Sequence, residues 1–206
     1  LRNPGDRLIL NGPGTVEDTS DKTGSAGFEP NITDVSYSTA LDAAGLGTAS
    51  FNSWGVKRIG ADAYAKRIAE RTSASIKVAV VDSGVDHTHP FLKSRVTSDG
   101  YDFVDNDSNA YDLFGHGTHV AGTIVDCTPG LNVKILPVRV LDSDGTGWNS
   151  VISCGIYYAV ERGAKVINMS INGDCSEDEE GAIDYAVQKG VTVVVSAGNK
   201  NHDVVR

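Results

Sequence analysis

The chain has 206 residues, a formal net charge of -9, 40% hydrophobic and 22% charged residues. That length supports one domain with a sizeable core. An acidic balance without a long basic run speaks against nucleic acid as a partner, and no stretch is long and apolar enough to span a membrane. The chain opens at Leu1 and its single methionine is Met169, so it is expected to be a processed product or a fragment whose leader is not readable. The three cysteines, Cys127, Cys154 and Cys175, show no C-x-x-C spacing. Cys154 lies in an apolar helical pattern and is expected to be a small core residue.

Residues 1–52 are rich in Gly, Thr, Ser, Asp and Pro, as in "NGPGTVEDTSDKTGSAGFEPN", and lack sustained periodicity. They read as an N-terminal extension, a linker or a propeptide remnant. From residue 53 to residue 206 helices and strands alternate. Residues 59–72 predict a helix, and "IKVAVVD" (76–82) predicts a strand buried on both faces. A helix is predicted to begin near His116. "VKILPVRV" (133–140) predicts a strand. Residues 149–163 predict a helix that Gly163 stops. "AKVINMS" predicts a strand. "EEGAIDYAVQKG" predicts a helix with Ile183, Ala186 and Val187 on one face. "VTVVVSAGN" predicts the last strand. This alternation implies an α/β fold, a mostly parallel sheet flanked by helices. In such a sheet the chemistry lies at the carboxyl ends of the strands. Asp82, Ser170 and the "SAGN" of Ser196 to Asn199 all stand at such ends, and His116 opens a helix.

"FGHGTHVAGTI" places His116 and His119 three residues apart. A zinc pair is disfavoured, because the zinc-protease helix spaces its histidines four apart with a glutamate after the first. "VVDSG" also matches the D-S-G of aspartic proteases. Those enzymes need two such aspartates sharing a proton, and the motif occurs once here.

The segments "VAVVDSGVDHTHP", "GHGTHVAGT" and "VVVSAGN" follow in that order, with "ILPVRVLDSDGTG" and "GAKVINMSING" between the last two. Together they resemble the subtilisin-like serine proteases (subtilases, peptidase S8 family) over residues 54–201. The resemblance implies a subtilisin-like fold, incomplete at the C-terminus, and a Ser-His-Asp triad in the chain order Asp, His, Ser. It makes Asp82 the triad carboxylate, His116 the general base and then acid, and Asn199 the side-chain donor to the developing oxyanion. His119 is then a packing residue with internal hydrogen bonds, and His87 and His89 are surface residues.

By the same resemblance, Gly145, Thr146 and Gly147 of "DGTGW", with Leu141, match the strand that pairs with an extended peptide substrate. Ser170, Ile171, Asn172 and Gly173 of "SING" match the opposing strand, and Ser196, Ala197 and Gly198 also face substrate. Binding would be strand addition, with main-chain bonds for affinity and alternate side chains for specificity. Family members usually carry glycine at Asn172, which puts a polar side chain at the rim of the primary pocket. The acidic run "DCSEDEE" nearby reads as a solvated helix start, with selection of basic substrate residues as the alternative. The resemblance also implies a secreted or extracellular protein and an inhibitory propeptide as a partner.

No cofactor is required for the chemistry that this resemblance implies. "YDFVDNDSNAYD" resembles a calcium loop of thermitase-type subtilases, with Asp102, Asp105 and Asp107 as ligands and Asp112 close by. An acidic loop without metal is the equal alternative. A second family calcium site is not expected, because Phe91 replaces the usual aspartate and the loop after the His helix is cut short at "DCTPG". "NIT" at Asn31 and "NDS" at Asn106 fit glycosylation acceptors.

The family's nucleophile lies in a G-T-S-x-A-x-P motif, and no G-T-S occurs here. The expectation is a serine endopeptidase whose serine lies beyond Arg206, with the remainder of the domain as a partner. Alone, these residues should leave apolar surface uncovered and hydrolyse nothing. Two other functions stay open: a non-catalytic peptide-binding pseudoprotease, and a peptide ligase or macrocyclase on the same fold.

Overall fold

The computed structural model describes residues 7–9, 53–173 and 176–199, with the backbone alone for 7–9. In chain order the elements are β1 (Arg7–Ile9), α1 (Trp54–Arg58), α2 (Ala61–Ala69), β2 (Ser75–Asp82), β3 (Tyr101–Asp102), α3 (His116–Cys127), β4 (Asn132–Arg139), β5 (Thr146–Trp148), α4 (Asn149–Glu161), β6 (Val166–Met169), α5 (Glu177–Gln188) and β7 (Thr192–Val195).

Local chemistry sets several boundaries. The Ser53 hydroxyl accepts the Val56 N–H at 3.4 Å and caps α1, while the Ser53 N–H donates to Asp126 of α3 at 3.1 Å. The Ser176 hydroxyl caps α5 by accepting the Glu179 N–H at 3.2 Å. Glu177, Asp178, Glu179 and Glu180 fill that helix's first turn, where negative charge meets the positive end of the helix dipole. The acidic run is therefore explained by helix initiation. Gly163, with φ 77°, follows the end of α4 in the left-handed conformation that glycine adopts without strain.

Five strands form one parallel sheet in the order β3-β4-β2-β6-β7. The central strand β2 pairs with β4 from Ser75↔Asn132 to Asp82↔Arg139, and with β6 from Val78↔Val166 to Val80↔Asn168. From β2 the chain passes to the edge strand β3, returns to β4 beside β2, and then crosses to β6 and β7 on the other side. The carboxyl end of β2 is thus the switch point where open α/β sheets hold their ligands. Asp82 is its last residue.

Alternate residues of β2 feed two cores. Ala79 and Val81 pack with Leu136, Val138, Ile152, Ile156 and Ile167 beneath α4 and α5. Val78 and Val80 pack with Phe91, Leu92, Ile135, Ala121 and Val125 beneath α3. Burial on both faces is what a continuous apolar strand requires.

Three expectations are corrected. Cys154 is exposed, because α4 turns Ile152, Ser153, Gly155 and Ile156 inward and puts Cys154 on its outer side. Val187 is exposed as well, while Ala182 and Ala186 carry the buried face of α5. His119 is exposed rather than packed. It lies about 200° around α3 from both Gly117 and Ala121, which are buried. β7 lies at the sheet edge and leaves Val194 and Val195 46% and 58% exposed.

Candidate active site

The end of β2 and the start of α3 meet at a glycine contact. A Cβ on Gly117 would overlap the Gly84 carbonyl oxygen and lie 3.2 Å from the Asp82 Cβ. Only hydrogen at this position lets the helix approach the strand end closely enough for its first residue to reach Asp82. Gly117→Ala is therefore expected to lose about 3 kcal/mol, although alanine is the better helix former. Gly122→Ala in the same helix meets nothing within 4 Å and should instead gain about 0.5–1 kcal/mol. Urea unfolding of the two variants checks the opposite signs.

The Asp82 carboxylate is fully buried. His116 Nδ1–H donates to its two oxygens, at 2.8 and 2.9 Å. The Ser83 N–H donates to Oδ1 at 2.7 Å and helps to fix the carboxylate. Bound through Nδ1, the imidazole turns Nε2 away from the aspartate, and its side chain stays 25% exposed. The hydrogen bond to Asp82 favours the imidazolium, burial opposes it, and the charges of Asp82 and Asp112 add to the first effect. The net result raises the His116 pKa above its ordinary 6.5. Among the described residues Asp82 is the ring's only hydrogen-bond partner, and no hydroxyl or thiol is bonded to Nε2.

Asp142 builds the turn before β5. Its carboxylate accepts the Asp144 and Thr146 N–H groups at 2.9 and 3.0 Å and the Thr146 hydroxyl at 2.8 Å. Gly145 has φ 71°, and a Cβ there would meet the Phe114 ring at 2.7 Å. Phe114, two residues before His116, thus packs directly on the strand expected to receive substrate. Leu141 bridges to Gly147. That strand already carries a partner from this chain: β1 pairs antiparallel with β5, as Arg7↔Trp148, Leu8↔Gly147 and Ile9↔Thr146.

Ser170, Ile171, Asn172 and Gly173 follow β6 without strand structure. The Ser196 hydroxyl donates to the Ile171 carbonyl at 2.8 Å, and Asn168 Nδ2 donates to the Ser170 hydroxyl at 2.9 Å. The first bond joins the end of β6 to the end of β7, and the second lies within the end of β6. Ala197, Gly198 and Asn199 continue from there and are exposed. No hydrogen bond ties Asn199 to His116 among the described residues.

In the acidic loop the three aspartates named as calcium ligands have other partners. Asp102 is buried and directs Oδ2 at Arg139 Nη1, 2.6 Å away, while its Oδ1 accepts the Val104 and Asp105 N–H groups. Asp105 bonds the same Nη1 at 2.6 Å. Asp107 accepts the Asn109 N–H at 2.7 Å. The Arg139 guanidinium thus pairs with two of the three acids. Among the described residues no three His, Cys, Asp or Glu side chains are grouped to hold a metal ion. Burial disfavours the Arg139 charge, but the two carboxylates outweigh it and raise its pKa above the ordinary value. Elsewhere, His87 is exposed and stands edge-on to Tyr111, and His89 is half-buried with Nδ1 accepting the Phe91 N–H.

Sequence reasoning missed the supporting residues Ser83, Arg139 and Asp142. It found Asp112 only as one more acid in a cluster. The available signal for Asp142 was an aspartate two residues before "DGTG", a turn-forming pattern.

A protein-family model described as "Subtilase family" matches residues 73–205. The chain is 46% identical over 136 residues to a thermophilic serine proteinase of Bacillus sp. (strain AK1), covering 62% of this chain and 34% of that protein. It is 43% identical over 141 residues to thermitase of Thermoactinomyces vulgaris, covering 64% and 50%. Among solved structures, a cold adapted subtilisin-like serine proteinase matches at 40% identity and TM-score 0.57, over 61% of this chain and 47% of that one. A lanthipeptide protease matches at 35% identity and TM-score 0.59, over 68% and 44%. The chain spans a third to a half of the length of these relatives. A parallel sheet with a buried aspartate at its switch point, a histidine opening the next helix and a family match over more than half of the residues agree, and the chain belongs to the subtilase family.

Proposed function

We propose that this chain carries two-thirds of the triad of a serine endopeptidase that hydrolyses peptide bonds. The observation that carries the reading is the bond from His116 Nδ1 to the buried Asp82 at the sheet's switch point. Asp82 fixes the tautomer, so that Nε2 of neutral His116 takes a proton from a serine hydroxyl and later returns it to the leaving amine. Asp82 stabilises the imidazolium formed between those steps. The serine is assigned to a segment beyond Arg206, and Asn199 donates its amide to the oxyanion. The chemistry needs no metal.

Substrate is taken to lie as an extended strand on β5, between Gly145–Gly147 and Ser170–Gly173. The β1–β5 pairing supports this, because β5 accepts an antiparallel strand with the Cβ-free Gly147 opposite Leu8. A Cβ on Gly147 would come within 2.6 Å of the Val140 carbonyl, so the strand depends on glycine there. The same pairing supports an inhibitory, propeptide-like role for the N-terminal segment, and a division of the chain into residues 1–52 and 53–206. The remainder of the domain is assigned to the exposed edge at β7, where Val194 and Val195 await cover. A relative named an extracellular serine proteinase supports an extracellular setting.

Fluorophosphonate labelling of the full-length protein from its native source tests the reading. Label on a serine outside residues 1–206, lost in His116→Ala, is the expected result. Absence of label on folded, uninhibited protein would leave a peptide-binding subtilase without hydrolysis.

A further inference from the structure

The strongest unassigned group is a buried carboxylate that the triad does not use. Asp112 is 8% exposed and accepts five hydrogen bonds. Its Oδ1 takes the Ser83 hydroxyl at 2.9 Å, the Phe114 N–H at 3.0 Å and the Gly115 N–H at 2.7 Å. Its Oδ2 takes the Thr118 N–H at 2.8 Å and the Thr118 hydroxyl at 2.6 Å. Ser83 in turn accepts the Gly117 N–H at 3.0 Å and donates its own N–H to Asp82. Both chain neighbours of His116 are therefore held, Gly115 by Asp112 directly and Gly117 through Ser83.

We propose that Asp112 is the positioning carboxylate of His116, clamping the first turn of α3 to the strand end that carries Asp82 and supplying a second negative charge to the imidazolium. This rests on the reading of His116 as the general base.

The physical need is specific. The cap position of α3 is Gly115, which has no side chain to cap the helix. The first-turn N–H groups would be orphaned, and Asp112 and Ser83 satisfy those of Thr118 and Gly117 instead. A histidine at a helix N-terminus also sits in the positive end of the dipole, which disfavours its protonated form. A carboxylate bonded to that same turn reverses the local field. The charged groups that act on His116 are Asp82 from β2 and Asp112 from the loop before α3, both negative.

The test is an NMR titration of the His116 ring in the full-length protein, with the resonance assigned through His116→Gln. Asp112→Asn is expected to lower the midpoint by about 0.5–1 pH unit, smaller than the fall of about 1–3 units expected for Asp82→Asn. Thr118→Val removes one bond to Asp112 but keeps the charge, and should move the midpoint by less than about 0.2 unit on the same scale. A folded Asp112→Asn with an unchanged midpoint overturns the proposal. Should that variant not fold, Ser83→Ala decides: the clamp predicts that His116 Nδ1–H exchanges about tenfold faster or more as the strand–helix link loosens, and an unchanged exchange rate refutes it. Neither readout needs hydrolysis. An unlabelled full-length protein would therefore end the protease reading while leaving the Asp112 result standing.

Discussion

Asp82→Asn in the full-length protein is expected to lower kcat/KM for peptide hydrolysis by about 10⁴-fold, the size that a mis-set histidine tautomer costs in triad enzymes. An asparagine turned to present its amide would bond Nδ1 as a donor, which forces the proton to Nε2, where it cannot serve as base. Volume is unchanged, so circular dichroism should stay that of the parent. The pH behaviour follows with a definite sign. His116 acts when neutral, and its pKa is raised, mainly by the hydrogen bond to Asp82. Activity of the parent should therefore rise along a limb lying above pH 6.5, and residual activity of the variant along a limb at lower pH. For stability, a raised folded-state histidine contributes fully below its unfolded value and loses that contribution as pH rises through the folded value. The stability gap between parent and variant should thus be widest in mildly acid solution and narrow toward alkaline pH. A pH–rate profile with coincident limbs would refute the pairing's role in tuning the base.

Arg139→Met is expected to destabilise the chain by about 3–5 kcal/mol, because it strands a buried charge. Arg139 and Asp102 are 3% and 1% exposed, and their bond at 2.6 Å lies at the carboxyl edge of the sheet. Methionine fills much of the arginine stem but offers nothing to the carboxylate. Asp105 suffers less, since its side chain is 61% exposed and water replaces the lost partner. Adding Asp102→Asn to Arg139→Met removes the stranded charge while keeping an oxygen for the Val104 and Asp105 N–H groups. It should restore at least about half of the loss, as paired replacement does at other buried ion pairs. Urea unfolding of the parent, both single variants and the double variant measures this. A single-variant loss below about 1 kcal/mol would show the pair to be solvated in practice.

These two sites differ in how they can be read from the chain. Helices α4 and α5 are legible through their apolar period and strand β2 through its continuous apolar run. The Asp82–His116 pair was legible through its flanking motifs, not through spacing. Strands β3 and β5, of two and three residues, are too short for any period to show. Strand β1 lies next to Gly- and Pro-bearing sequence and is defined by its partner β5. The Arg139–Asp102 bond joins residues 37 apart. Acidity of the loop announced negative charge, but only the fold shows that an arginine neutralises it. Asp112 shows the same limit: in the sequence it is one more acid beside the loop, and the fold bonds it to the turn carrying the histidine.

The central place of β2 also bears on when the paired site can exist. Residues 75–82 find their neighbours at residues 132–139 and 166–168, so the strand end bearing Asp82 is fixed only after large loops have closed. Contacts so distant along the chain form slowly, since loop entropy is lost before pairing returns it. The Asp82–His116 pair is therefore expected to form late, as the sheet closes, rather than with the first helical turns.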